Sequence, residues 1–147
     1  MRLYHYCTWG GDSIYGAGVI KPSRRYAVNV EKTVLDQWPL LTFLTSSPSW
    51  EPSLQSYTKD GHWERCGSYP ETNEALGIPS WKFQINTNGL VLGEATDFKG
   101  CKDWRRMLEE AVIMGSNPDD WRIAVQDCYV IKTWAWRNDE WITLKNT

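Results

Sequence analysis

A chain of 147 residues has the length of one domain and can bury most of the surface its unfolded form exposes. Hydrophobic residues at 41% and charged residues at 23% exclude wholesale disorder, and a formal charge of −2 leaves no global basic field for long duplex DNA. No apolar run approaches the roughly 20 residues that span a bilayer, and the chain opens directly on a strand-like segment, so a cytoplasmic domain with no membrane partner is expected over 1–147.

Leu3 to Thr8 alternates, with Leu3, His5 and Cys7 on one face and Tyr4, Tyr6 and Thr8 on the other, which predicts a strand. Gly10 and Gly11 break it, and Asp12-Ser13 is placed to cap a short helix running toward Gly16 and Gly18. Val19-Ile20 resumes a short apolar stretch that Pro22 ends. Residues 26–38 fit neither period. Leu40 to Thr45, introduced by Pro39 and stopped by Ser46-Ser47-Pro48, reads as a second strand. From Ser47 to about Ser80 the chain is rich in Ser, Pro and Gly, which predicts a long loop with one or two helical turns at Glu71 to Leu76.

Trp81 to Ile85 reads as a strand, and Asn86-Thr87-Asn88-Gly89 as a turn into a partner at Leu90-Val91-Leu92. Trp104, Met107, Leu108, Ala111 and Val112 share one apolar face of a helix over about Lys102 to Met114, with Gly115 as its C-terminal stop. Arg105–Glu109 and Arg106–Glu110 are solvent-side pairs one turn apart. Trp121 to Val125, Cys128 to Arg137 and Trp141 to Leu144 read as strands, the middle one apolar on both faces and therefore central. Strands segregated from one long helix argue an α+β fold: a mixed, mainly antiparallel, split sheet with one long helix and a long loop.

Catalytic signatures of the common kinds are absent: no phosphate-cradling loop, no dinucleotide fingerprint, no nucleophile elbow. The four cysteines lie far apart and read as free thiols of a reducing compartment. His62 and Cys66 have helical spacing but no second ligand pair, so no metal is expected. Composition stands out in the ten tryptophans, which read mainly as core, with two or three available to line a pocket that stacks on a planar ligand. Trp121, Trp134 and Trp136 are assigned to the core. Trp50-Glu51 lies in a Ser/Pro loop and suggests recognition, and Lys21, Arg24 and Arg25 form the tightest basic cluster, able to grip a phosphate.

Tyr4-His5-Tyr6-Cys7-Thr8, the glycine-rich turn, Gly18-Val19-Ile20 and the strand Leu41-Thr42-Phe43-Leu44-Thr45-Ser46 together resemble the opening of the ADP-ribosyltransferase-like fold, as in RNA 2′-phosphotransferases and DNA-modifying ADP-ribosyltransferases. The stretch Thr42 to Pro52, the run Ala111 to Trp121, and Trp134 and Trp141 also resemble a group of uncharacterised phage and bacterial proteins, which would put the chain in a host cytoplasm if phage-encoded. The first resemblance implies NAD or a related nucleotide as ligand and substrate, with ADP-ribose passed to a protein or nucleic-acid acceptor. It implies His5 at the nicotinamide ribose with Thr8 beside it, and Phe43, Thr45 and Ser46 flanking the nicotinamide. A carboxylate would stabilise the cationic ribose; Glu51, Glu94 and Gln126 are all conceivable positions, with Glu51 the choice. Trp50, Glu51 and the long loop would close over a cleft in which His5 faces Thr45. The alternative is a non-catalytic protein that sequesters a host nucleotide or blocks a host protein through its tryptophan-rich surface.

Overall fold

The computed structural model describes residues 1–23, 39–53, 56–57, 63–64, 69–98 and 104–144. In chain order the elements are Tyr4–Cys7 (β1), Gly11–Ala17 (α1), Val19–Ile20 (β2), Thr42–Thr45 (β3), Ser56–Tyr57 (β4), Trp63–Glu64 (β5), Pro70–Ala75 (α2), Trp81–Ile85 (β6), Gly93–Glu94 (β7), Trp104–Ile113 (α3), Trp121–Ala124 (β8), Cys128–Arg137 (β9) and Glu140–Leu144 (β10). One sheet runs β10-β9-β6-β1-β3-β8-β7, with β2 pairing β9 off that path. Every ladder among the described strands is antiparallel. The α+β class and the antiparallel sheet expected from the sequence are therefore present. The α3 helix covers 10 residues, and its expected start near Lys102 lies outside the described residues, as do Arg24, Arg25, His62, Cys66 and Cys101.

Strand alternation gives the sheet two chemically different faces. His5 lies opposite Phe83 and Cys7 opposite Trp81, so β1 and β6 turn Leu3, His5, Cys7, Trp81, Phe83 and Ile85 to one side. That side is the more aliphatic one, with Phe83 and Trp81 stacked within it. Leu3, Ile20, Leu44, Phe83, Ile85, Ala124 and Cys128 form its core, with Ile14 and Tyr15 of α1 packed on it. Fully burying a side chain such as Leu3 or Phe83 contributes about 1.5–3 kcal/mol, so this layer stabilises the sheet substantially. The other side is aromatic, with Tyr4, Tyr6 and Trp50 buried and Trp134 and Trp141 against them. Further along, Trp104 of α3 joins Ala95, Ile123, Phe43, Phe98 and Trp121 on that side.

Several local expectations change. The α1 helix is capped by Gly10 in the left-handed region with no side-chain cap, and Asp12 lies inside the first turn rather than before it. Leu90 to Leu92 is not a strand, because both edges of β6 are taken by β1 and β9, and Leu90 and Leu92 pack into the aliphatic core instead. Val112 is 57% exposed, so the buried stripe of α3 is narrower than the sequence suggests. β9 is flanked on both sides but is second from the sheet's end, and Tyr129 and Ile131 are exposed, so the strand is not buried on both faces as its apolar run suggests. The turn into β10 places Asn138 and Asp139 at φ of 53° and 64°, the twist-matched hairpin geometry that short polar residues tolerate. Both amide N–H groups of that turn donate to the Glu74 carboxylate, which clips the hairpin to α2.

Candidate functional site

After β3 the chain leaves the sheet at Ser46 and is held across the aromatic face by side-chain donors. Three successive carbonyls are captured: Ser47 O by the Tyr6 hydroxyl at 2.7 Å, Pro48 O by Lys82 Nζ, and Ser49 O by Trp141 Nε1 at 3.3 Å. A proline and two serines supply no periodic apolar face, so the segment forms neither helix nor strand and depends on these tertiary bonds. Lys82 is nearly buried, with its ammonium 4.7 Å from the Tyr4 ring centroid and 4.6 Å from that of Trp134. Burial, with Lys132 adding a like charge, holds the Lys82 pKa below its ordinary value. Burial also pushes the Tyr6 phenol above its ordinary range, reinforced by Tyr4 and Glu51, so Tyr6 stays a neutral donor.

The strap delivers Trp50 into the face, only 5% exposed, edge-on to Tyr6 at 5.3 Å and tilted on Trp141 at 6.0 Å. The next residue, Glu51, is fixed at both carboxylate oxygens. Oε1 accepts the Ser53 amide at 3.0 Å, the Ser53 hydroxyl at 2.6 Å and the Ser116 hydroxyl, while Oε2 accepts Trp121 Nε1 at 2.7 Å. Hydrogen bonds to an ionised acceptor are the stronger kind, so the carboxylate ties the loop to the turn after α3 and to β8.

Between the strap, the start of α2, the turn after α3 and the β9–β10 hairpin lies a cavity of about 590 Å³. Trp50, Tyr69, Trp136 and Trp141 provide aromatic wall, and Glu51, Glu71 and Asp120 provide carboxylates. No lysine or arginine belongs to the described lining. The volume suits a small organic molecule, and electron-rich rings with anionic edges suit a cationic one.

Of the residues expected to form the site, Thr45, Trp50 and Glu51 line this cavity. His5 does not. Tyr4 pairs with Thr45 across β1 and β3, so His5, one residue along, points to the opposite face of the sheet. The expectation that His5 and Thr45 face one another across one cleft is thereby corrected: they look away from each other. His5 stands among the aliphatic residues, its Nδ1 bonded to Phe43 O at 2.8 Å, and burial lowers its pKa despite that opposing bond. Thr8 is buried at the end of β1, where its carbonyl accepts the Gly11 amide. Phe43 packs against Trp104 and Trp121, and Ser46 bonds its amide to Asp120 O; neither lines the cavity. Glu94 lies 4.0 Å from Arg122, and Gln126, an amide, accepts the Val91 amide, so Glu51 alone of the three conceivable positions reaches the cavity.

Trp136 and Trp141 were missed as site residues. Their signal was present in the alternation of β9, which puts Trp134 and Trp136 on one face, and in the hairpin turn that sets Trp141 opposite Trp136. Trp121, Trp134 and Trp136, assigned to the core, are all half-buried; Trp121 and Trp134 pack against buried clusters, whereas Trp136 belongs to none. Among the described residues no group of three or more histidine, cysteine, aspartate or glutamate side chains could hold a metal ion, and no helix is long and apolar enough to cross a membrane. No protein family, curated protein or solved structure matches the chain.

Proposed function

We propose that the protein binds a nucleotide of the NAD type by its positively charged nicotinamide ring, in the cavity on the aromatic face. One observation carries the reading: four aromatic side chains and three carboxylates converge on a volume of about 590 Å³ with no basic side chain in the described lining. A pyridinium ring gains from aromatic faces, by about 0.5–2 kcal/mol per favourable contact, and from nearby carboxylates. Phosphates gain nothing there. The ring end of the nucleotide therefore belongs inside the cavity and the phosphates outside it.

The position of Glu51 favours a catalytic form of the same reading, ADP-ribose transfer. In that reaction the bond between C1′ of the ribose and the pyridinium nitrogen breaks, nicotinamide leaves with the electron pair as a neutral molecule, and an acceptor nucleophile bonds to C1′ and loses its proton to solvent. Glu51 would stabilise the positive charge on the ribose, and its own hydrogen bonds keep it oriented for that task. The finer fold assignment, ADP-ribosyltransferase-like, belongs to this proposal. Its support is the order β1, α1, β2, β3 and the single registered pair that joins β1 to β3; His5 on the face away from the cavity departs from the pattern.

Tryptophan fluorescence titration tests the binding. Nicotinamide mononucleotide should quench at least ~10-fold more tightly than its reduced, uncharged-ring form, and adenosine monophosphate should bind more weakly than either. Equal binding of the oxidised and reduced rings, or preference for adenosine monophosphate, defeats the reading. Nicotinamide release from NAD that is lost in Glu51→Gln supports transfer; tight binding without release leaves a sequestering protein.

A further inference from the structure

Three indole N–H groups on the aromatic face have acceptors: Trp104 donates to Ala95 O at 2.8 Å, Trp121 to Glu51 and Trp141 to Ser49 O. Trp136 differs. Its Nε1 is buried with no hydrogen-bond partner among the described residues, although its backbone amide is satisfied by Ser80 O at 3.0 Å. Buried donors without acceptors are rare and unfavourable, and this one belongs to a ring that lines the cavity. The ring stands edge-to-face with Trp141, centroids 5.2 Å apart at 84°.

We propose that Trp136 is the residue through which the cavity reads its ligand: its Nε1–H donates to an oxygen carried by the bound ring. The site then takes a cationic ring bearing a carbonyl or carboxamide substituent in preference to a bare organic cation. This inference rests on the reading of the cavity given above and adds a specificity element to it. The N–H is closed to solvent, so the ring must turn about its second side-chain torsion to present it, and that torsion is broad in tryptophan. The turn separates the Trp136–Trp141 pair and opens the wall between them.

Two ligands of equal charge separate the possibilities: 1-methylnicotinamide, which carries a carboxamide, and 1-methylpyridinium, which does not. Calorimetric titration of the wild-type protein should favour the carboxamide ring by roughly 3- to 10-fold, the range of one neutral hydrogen bond. Trp136→Phe, which also thins the aromatic wall, should weaken both rings but bind the two about equally. A thioamide analogue makes the same comparison on wild-type protein, so a variant that fails to fold leaves the inference testable; its weakly accepting sulfur should lower affinity toward that of the bare ring. Ring binding with no carboxamide preference in the wild type, or a preference that survives Trp136→Phe, overturns the inference alone. Binding of neither ring by the wild type overturns the cavity reading and this inference with it.

Discussion

Replacing Glu51 with glutamine isolates the bond network behind the cavity wall. The carboxylate serves three donors at Oε1 and one at Oε2, and glutamine keeps only one of those two acceptors. In the better orientation the amide oxygen takes the place of Oε1. The amide NH2 then confronts Trp121 Nε1–H, two donors where 2.7 Å separated donor and acceptor. Serine hydroxyls can turn to compensate, but an indole N–H cannot. Losing one hydrogen bond to a charged acceptor costs about 1.5–3 kcal/mol, and in a domain of this size each kcal/mol lowers Tm by about 2–4 °C. Glu51→Gln should therefore melt about 3–12 °C below wild type by circular dichroism, toward the small end because Glu51 is half-buried. Adding Trp121→Phe removes the opposed donor, so the double variant should be more stable than the sum of the single effects by about 1 kcal/mol or more. A Glu51→Gln protein melting within about 1 °C of wild type, or strictly additive effects, would refute the assigned bonding.

Three further outcomes follow from the same geometry. His5 has a lowered folded-state pKa, so the unfolded chain takes up its proton first and stability falls as pH drops below about 6.5; a His5→Asn variant should lose that part of the pH dependence in urea unfolding, whereas an identical profile contradicts it. Gly11→Ala would drive a Cβ into the Trp81 ring and should destabilise by about 1–3 kcal/mol or more, while Gly16→Ala meets open space in the same helix and should stabilise by about 0.5–1 kcal/mol; thermal melts with the opposite ordering would be inconsistent with this packing. Lys82→Met removes the donor to Pro48 O but also a charge whose burial is unfavourable, so ligand affinity should fall more than stability does; titration and melting of the same sample compare the two, and a large loss of stability with affinity intact would contradict it.

Period and punctuation made much of the architecture legible. The strand at Tyr4–Cys7 follows from two-residue alternation, those at Thr42–Thr45 and Trp81–Ile85 from bulky residues and bounding turn residues, and that at Cys128–Arg137 from a long apolar run, and Asn138-Asp139 marks its hairpin. Leu90 to Leu92 shows the limit, since an apolar triplet after a turn cannot say that the neighbouring strand's edges are already occupied. At the site, Trp50 and Glu51 were legible because an aromatic beside a carboxylate in an aperiodic loop has no role in a helix or strand face. His5 was misplaced because its partner in the cleft depends on register: pairing Tyr4 with Thr45 sends His5 to the far face, and a shift of one residue would have sent it to the near one. Ser116 and Asp120 come to the cavity only through tertiary packing, and Lys82 reaches Pro48 the same way. Nothing local in the sequence marks them.

The most direct measurement is a crystal structure of the protein with nicotinamide mononucleotide bound. The account predicts the pyridinium ring against Trp136 and Trp141, within reach of Glu51, with the phosphate directed to solvent. A ring seated instead on the aliphatic face beside His5 and Cys7 would contradict it and return the site to the histidine.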